Sequence, residues 1–213
     1  VNLNGKTWTI ESAATDNNYF YVGKNNSLQL ENGTICVPED AIGVSLIKAN
    51  QATLNMNHMT INSANVHYAV NVEDGKTRFM NGEVNAGEGC YAFNIKTASL
   101  ERNEPMFDLM NGNDIHGNFK LGIAQLPEST EGTKYPPILY VEQSTIDGNM
   151  YVSGENITKE WLLYSVKYDE KTVEFGENCT GWNDVVKADD ENLPALPENN
   201  ITDLNWIAVI EAN

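Results

Sequence analysis

Arginine is scarce in this chain: Arg78 and Arg102 are the only two among 213 residues. Thirteen basic residues face thirty acidic ones, a formal net charge of −17. Such a surface repels phosphate, and no basic cluster interleaved with aromatics interrupts it. Nucleic acid and anionic membrane are therefore excluded as principal partners. Long apolar runs are also missing. Nothing approaches the roughly 18 consecutive apolar residues of a membrane span, so no membrane insertion is expected. The opening VNLNGKTWTIES has neither the basic start nor the apolar centre of a signal peptide. We expect a mature or excised part of a larger polypeptide. Cysteine is limited to Cys36, Cys90 and Cys179, an odd number with no CxxC and no His-paired zinc spacing. Buried small side chains are the preferred reading, with one disulfide plus a free thiol as the alternative.

Asparagine, by contrast, is abundant, at 29 residues. Its side chain bonds to nearby backbone and tolerates the left-handed region, so it collects at turns. Together with many Gly, Thr and Val residues, this composition points to short strands joined by tight turns. The length suits one substantial domain or two small ones, and the apolar content suffices for a packed interior.

Three stretches repeat one pattern: LQLENGTICV from Leu28, LNMNHMTINS from Leu54 and TRFMNGEVNA from Thr77. In each, an apolar residue is followed five positions later by Ile or Val, with Asn in the gap. The anchors Ile35, Ile61 and Val84 lie 26 and 23 residues apart. A second alternating segment follows each anchor: VSLIKA from Val44, YAVNVE from Tyr68 and YAFNIK from Tyr91. In the last, Tyr91, Phe93 and Ile95 are expected on one side, Ala92 and Asn94 on the other. Further on, MFDLMNGNDIHGN and ILYVEQSTIDGN share a strand, an Ile anchor and a Gly-Asn step, with Ile115 and Ile146 separated by 31 residues. The polar, proline-bearing LPESTEGTKYPP reads as a loop leaving the repeat. Units of this length with two or three strands describe rungs of a parallel β-solenoid, in which each rung buries its apolar face only by stacking on its neighbours. The leucine-rich frame is missing, and 23 and 26 are not multiples of six, which excludes a hexapeptide helix.

These rungs resemble the right-handed parallel β-helix of the pectate-lyase and polygalacturonase type, which adhesins and phage tailspikes also use. The resemblance is one of repeat style and covers roughly Gly5 to Gly181; LNGKTWTIES is similar to the start of such domains. It implies an all-β fold, a single right-handed parallel β-helix over residues 1–213. Rungs of 23 to 31 residues would fill 5–181, and an acidic, proline-bearing excursion and cap would occupy 182–213. The stretch ITKEWLLYSVKY fits either a short helix capped by Thr158 or a strand.

The densest chemistry is in NDIHGNFK: Asp114, His116 and Lys120. His116-Gly117 is similar to part of the Ser-His-Gly step of polygalacturonases. Those enzymes also need clustered aspartates, one to donate a proton and one to activate water. No Asn-Thr-Asp and no Arg-Ile-Lys occurs here, and the Asp189-Asp190 pair falls in the C-terminal excursion, in the wrong order. A turn bearing an exposed His is the preferred reading; the catalytic one would draw on Asp114, His116, Lys120, Asp147 and Arg102. Pectate lyases use an Arg base and calcium held by carboxylates. Aligned rungs bring Asp108, Asp147 and Glu83 to similar positions, a stripe that would suit calcium, although a solvated acidic face is the preferred reading. Tyr68 and Tyr91 read as stacked core residues. Tyr135, Trp161 and Trp182, in the less regular half, are the aromatic candidates for sugar contact. Asn-x-Ser/Thr sequons at Asn25, Asn32, Asn156, Asn178 and Asn200 are what so much Asn and Thr produces by chance.

The composition and the missing catalytic set favour a non-catalytic extracellular module of a bacterial surface or secreted protein, active in adhesion or glycan binding, with no cofactor. The alternatives are a polysaccharide lyase or glycoside hydrolase acting on acidic polysaccharide, and a phage tail or fibre module. The expected partner is a polysaccharide or host glycan and the expected location the cell surface or medium. Activity is expected where the repeat breaks, near residues 114–137 and after Lys159.

Overall fold

The computed structural model describes residues 1–13, 16–98, 106–123, 138–154, 166–177 and 179–182. They form an all-β, right-handed parallel solenoid, the hand that parallel crossovers favour. The first rung is β1 (Asn2–Thr9) and β2 (Asn18–Val22), the second β3 (Ser27–Cys36) and β4 (Ser45–Asn50), the third β5 (Thr53–Ala64) and β6 (Tyr68–Glu73). The fourth is β7 (Lys76–Met80), β8 (Glu83–Ala86) and β9 (Tyr91–Thr97), and the fifth β10 (Phe107–Met110), β11 (Asn113–His116) and β12 (Asn118–Ile123). β13 (Leu139–Val141), β14 (Ser144–Asp147) and β15 (Met150–Gly154) make the sixth, and β16 (Val166–Tyr168) and β17 (Val173–Phe175) follow. Every pairing is parallel. One sheet has eleven strands; the other has six, in the order β15-β12-β9-β6-β4-β2.

The repeated line is the corner of the large sheet. Its apolar residues stack in register: Leu30, Met56, Phe79, Leu109 and Val141 before the bend, and Ile35, Ile61, Val84, Ile115 and Ile146 after it. All are buried, and each such side chain contributes about 1.5–3 kcal/mol of burial. Between them the backbone turns through the left-handed region, with φ of 54° at Asn32, 53° at His58, 51° at Asn81, 67° at Asn111 and 47° at Gln143. Asn bears that conformation at low cost, which is why it fills the gap. β3 and β5 bend through this corner unbroken, whereas from the fourth rung on it separates two strands.

Polar side chains stack as regularly. Asn85 donates to Asn62 Oδ1 at 2.9 Å, Asn81 to Asn57 at 2.9 Å and Asn94 to Asn71 at 3.0 Å. Buried Asn113 is fully engaged: its Oδ1 accepts the Gly82 amide at 3.1 Å, and its Nδ2 donates to Ser144 Oγ at 3.1 Å. The Gly-Asn step has the same purpose. Asn118 Oδ1 accepts the Asn149 amide, one rung on, at 3.1 Å, and Asn149 Oδ1 accepts the Thr180 amide at 2.9 Å. The glycines let the turns nest; a Cβ on Gly148 would sit 2.0 Å from the Gly117 carbonyl oxygen.

One facing differs from expectation. Phe93 and Ile95 point inward, but Ala92 joins the core while Tyr91 does not. The register between β9 and β12 slips there, Asn118 pairing with Tyr91 and Phe119 with Phe93. Ala92 is thus the extra residue of a bulge, which turns Tyr91 to the outside. All three cysteines are free thiols. Of ITKEWLLYSVKY, Val166–Tyr168 is strand. Its earlier part, the Leu126–Pro137 insertion and residues 183–213 lie outside the described residues.

Candidate functional site

The outer face of the large sheet beyond the corner is built by the residues flanking the Ile/Val anchors. On one side runs Thr7, Thr34, Thr60, Glu83, Asp114, Thr145, Glu174; on the other Thr9, Cys36, Asn62, Asn85, His116, Asp147. Neighbours in each column are one strand spacing apart, about 4.8 Å. The early rungs present hydroxyls and amides, the later ones carboxylates.

Within this face the structure brings together three of the residues expected from sequence. His116 Nε2 lies 3.3 Å from Asp114 Oδ1 and its Nδ1 lies 3.7 Å from Asp147 Oδ2. Asp114 shares the face because it is two residues upstream on the same strand; Asp147 is the register partner on β14. Below them Asn85 donates to Glu83 Oε1 at 2.8 Å as well as to Asn62. All three side chains of the cluster are about half exposed, so water screens their charges and the pairs hold little energy.

Lys120 is not part of this cluster. The turn at Gly117–Asn118 carries the chain onto the small sheet, where Lys120 is buried at 1% exposure on its outer side. Its Nζ sits 5.7 Å from the centre of the Tyr91 ring, within cation–π range. Tyr91 in turn meets Tyr68 at 5.5 Å, His67 at 5.3 Å and Tyr151 at 5.8 Å. Burial first, and then the Lys120 charge, push the His67 imidazole down to about 4. Tyr68 and Tyr91 are buried although they lie outside the solenoid's core cluster, so this aromatic ladder is covered and offers no platform to a sugar ring. Beside them Lys48 holds Glu73 at 2.7 Å, and Lys96 approaches it at 3.6 Å. Burial raises the Glu73 carboxyl, but the two lysines outweigh it and keep it below the ordinary carboxylate range.

The expected calcium stripe resolves into separate columns. Asp108 stands before the corner, beside Arg78 and Tyr140, where Arg78 Nε reaches its Oδ2 at 3.4 Å. Asp147 and Glu83 stand beyond the corner, in two adjacent columns. Asp108 thus faces an arginine and neither of the other carboxylates. Among the described residues no group of three or more His, Cys, Asp or Glu side chains could hold a metal ion. Trp182 is buried, packed against Phe119 and Phe175, with its Nε1 donating to the Gly148 carbonyl at 3.0 Å. It belongs to the buried core and presents no surface. Arg102, Tyr135 and Trp161 lie outside the described residues, as do Asp189 and Asp190.

No protein-family model, curated protein or solved structure matches the chain. The resemblance to pectate-lyase-type proteins therefore stands as one of architecture, and the architecture alone does not carry an activity. Among the described residues no helix is long and apolar enough to cross a membrane.

The residues the sequence reading missed are Asn62, Asn85 and the threonines. Their signal was present: writing down what flanks each anchor gives T-x-C, T-x-N, E-x-N, D-x-H and T-x-D in successive rungs. Chemically, this face offers a strip of hydrogen-bond donors and acceptors, with an imidazole between two carboxylates toward one end.

Proposed function

We propose that the protein is a non-catalytic extracellular β-helix module of a bacterial surface or secreted protein that binds glycan along the face just described. One observation carries the reading: two adjacent columns of hydroxyl, amide and carboxylate side chains repeat at strand spacing over six rungs. A linear polysaccharide presents hydroxyl groups with comparable regularity and can exchange its water for these side chains. The charge selects the ligand further. Glu83, Asp114 and Asp147 on a chain of net charge −17 repel uronates, so a neutral or amine-bearing glycan is favoured over an acidic one. A glycan array read with the intact chain should give binding confined to that class. Repeated blanks across neutral and amino glycans, at millimolar ligand, would sink the reading.

The enzymatic reading draws on the Asp114–His116–Asp147 cluster, in which an imidazole could pass a proton between two carboxylates. New reducing or unsaturated ends on incubation with uronate-containing polysaccharides, with or without calcium, would favour it over the binding module.

A further inference from the structure

The corners of the second, fourth and fifth rungs each carry Asn followed by Gly: Asn32-Gly33, Asn81-Gly82 and Asn111-Gly112. All three asparagines turn the chain through the left-handed region. Such a pair is also self-reactive. With no side chain on the second residue, its backbone nitrogen can approach the carbonyl carbon of the asparagine side chain. What holds the two residues decides whether it does, and here the corners differ.

Two of them are tied. Gly33 lies inside β3 and pairs on both sides, with Lys6 and Met59. A Cβ on it would sit 2.6 Å from the Lys6 carbonyl oxygen, so this backbone has no room to swing. In the fourth rung Asn81 donates from Nδ2 to Asn57 Oδ1 at 2.9 Å, and the Gly82 amide donates to Asn113 Oδ1 at 3.1 Å. Both reacting groups of that pair are engaged. A Cβ on Gly82 would lie 2.7 Å from the Met59 carbonyl oxygen.

The fifth-rung corner is loose. Asn111 and Gly112 are exposed and belong to no strand. Among the described residues neither backbone amide donates a hydrogen bond, and the Asn111 side chain makes none. A Cβ on Gly112 would meet nothing within 4 Å. Beyond them Asn113 Nδ2 donates to the Met110 carbonyl at 3.2 Å, so the two residues project as a small loop pinned at its base.

We propose that Asn111 is a site of spontaneous deamidation, to which the fold confines this modification among the three corners. The Gly112 nitrogen bonds to Asn111 Cγ, the Cγ–Nδ2 bond breaks, and Nδ2 leaves as ammonia with the Gly112 amide proton. Water then opens the cyclic imide at either carbonyl, giving aspartate or isoaspartate. Either product adds a carboxylate close upstream of Asp114, at the acidic end of the outer face. Isoaspartate also lengthens the main chain just ahead of Asn113, whose side chain links the Gly82 amide to Ser144. The reaction does not depend on the face binding glycan.

The intact chain, folded or in urea, is held at mildly alkaline pH and sampled over days. Each sample is digested and mapped by mass spectrometry, with fragmentation that separates aspartate from isoaspartate. In the folded chain Asn111 should convert at least about tenfold faster than Asn32 and Asn81, since tied pairs react only when their contacts open. In urea the three should convert at similar rates, because only sequence then decides. Folded-state conversion of Asn32 or Asn81 as fast as that of Asn111 overturns the proposal. So does an Asn111 that keeps its amide when folded but loses it in urea, or a ranking that persists unchanged in urea.

Discussion

Two outer faces of one solenoid hold a histidine, and they use it differently. On the large sheet His116 stands half exposed between Asp114 and Asp147. On the small sheet His67 packs against Tyr68 and Tyr91, with Lys120 buried nearby. The same stacking rule builds both, since each side chain meets the residue one rung away. What differs is water. The exposed face keeps its polar groups available to a ligand at little energetic consequence, and the buried one commits its rings and charges to stability. Recurrence of a residue type in a solenoid therefore says where a column is, and burial decides what the column is for.

The largest effect expected comes from breaking the interior that both faces share. Phe93 is fully buried, with rings of Phe107, Phe119 and Phe79 at 4.8, 5.2 and 5.8 Å. Phe93→Ala should lower unfolding free energy by about 3–5 kcal/mol in urea titration. A loss below about 1 kcal/mol would mean that the aromatic stack is not packed as described.

Acid should act next, through the buried face. His67 titrates near 6.5 when unfolded and about 4 when folded, from burial and then Lys120. Between those values the unfolded chain binds more protons, so stability rises with pH across the window and is lost as pH falls from 6.5 toward 4. The loss should be about 2 kcal/mol, below what the full shift implies because the ring is only partly buried. His67→Gln should flatten that slope, as read from unfolding midpoints at stepped pH. Glu73, whose folded carboxyl is held low by Lys48 and Lys96, gives stability present above the usual carboxylate range and lost as pH drops below it.

Much of this was legible in the sequence, for a physical reason. A rung cannot bury its own apolar side chains, so the anchors must recur, and Ile35, Ile61, Val84, Ile115 and Ile146 did so at readable intervals. The Asn ladders follow from the same stacking. The reach of individual side chains was not legible. Lys120 follows His116 by four residues, yet one turn places it on the other sheet. A single-residue bulge moved Tyr91 outside and Ala92 inside. Asp108 and Asp147 align in sequence because rungs can be matched on either side of the corner, and periodicity alone does not distinguish the two sides.

A buried polar group outside any ladder gives a smaller effect of opposite sign. Thr77 occupies the interior column of Leu54 and Phe107, and its Oγ1 is buried without a hydrogen-bond partner. Thr77→Val keeps the shape and removes an unsatisfied hydroxyl, so a gain of about 1 kcal/mol is expected. A loss would show that the hydroxyl has a partner after all.

The exposed cluster should move stability least and function most. Asp114, His116 and Asp147 are all about half in water, so Asp114→Asn and His116→Gln should each shift unfolding free energy by less than about 0.5 kcal/mol. If the face binds glycan, the same substitutions remove a charge or an imidazole from the strip and should weaken binding by about tenfold or more, the scale of one charge-assisted hydrogen bond. Thr34→Ala, on the uncharged half, separates the possibilities further. A ligand lying along the whole strip loses affinity there too, and a ligand gripped only by the carboxylates does not. Retained binding in all three variants, on a fold of unchanged stability, would move the site off this face.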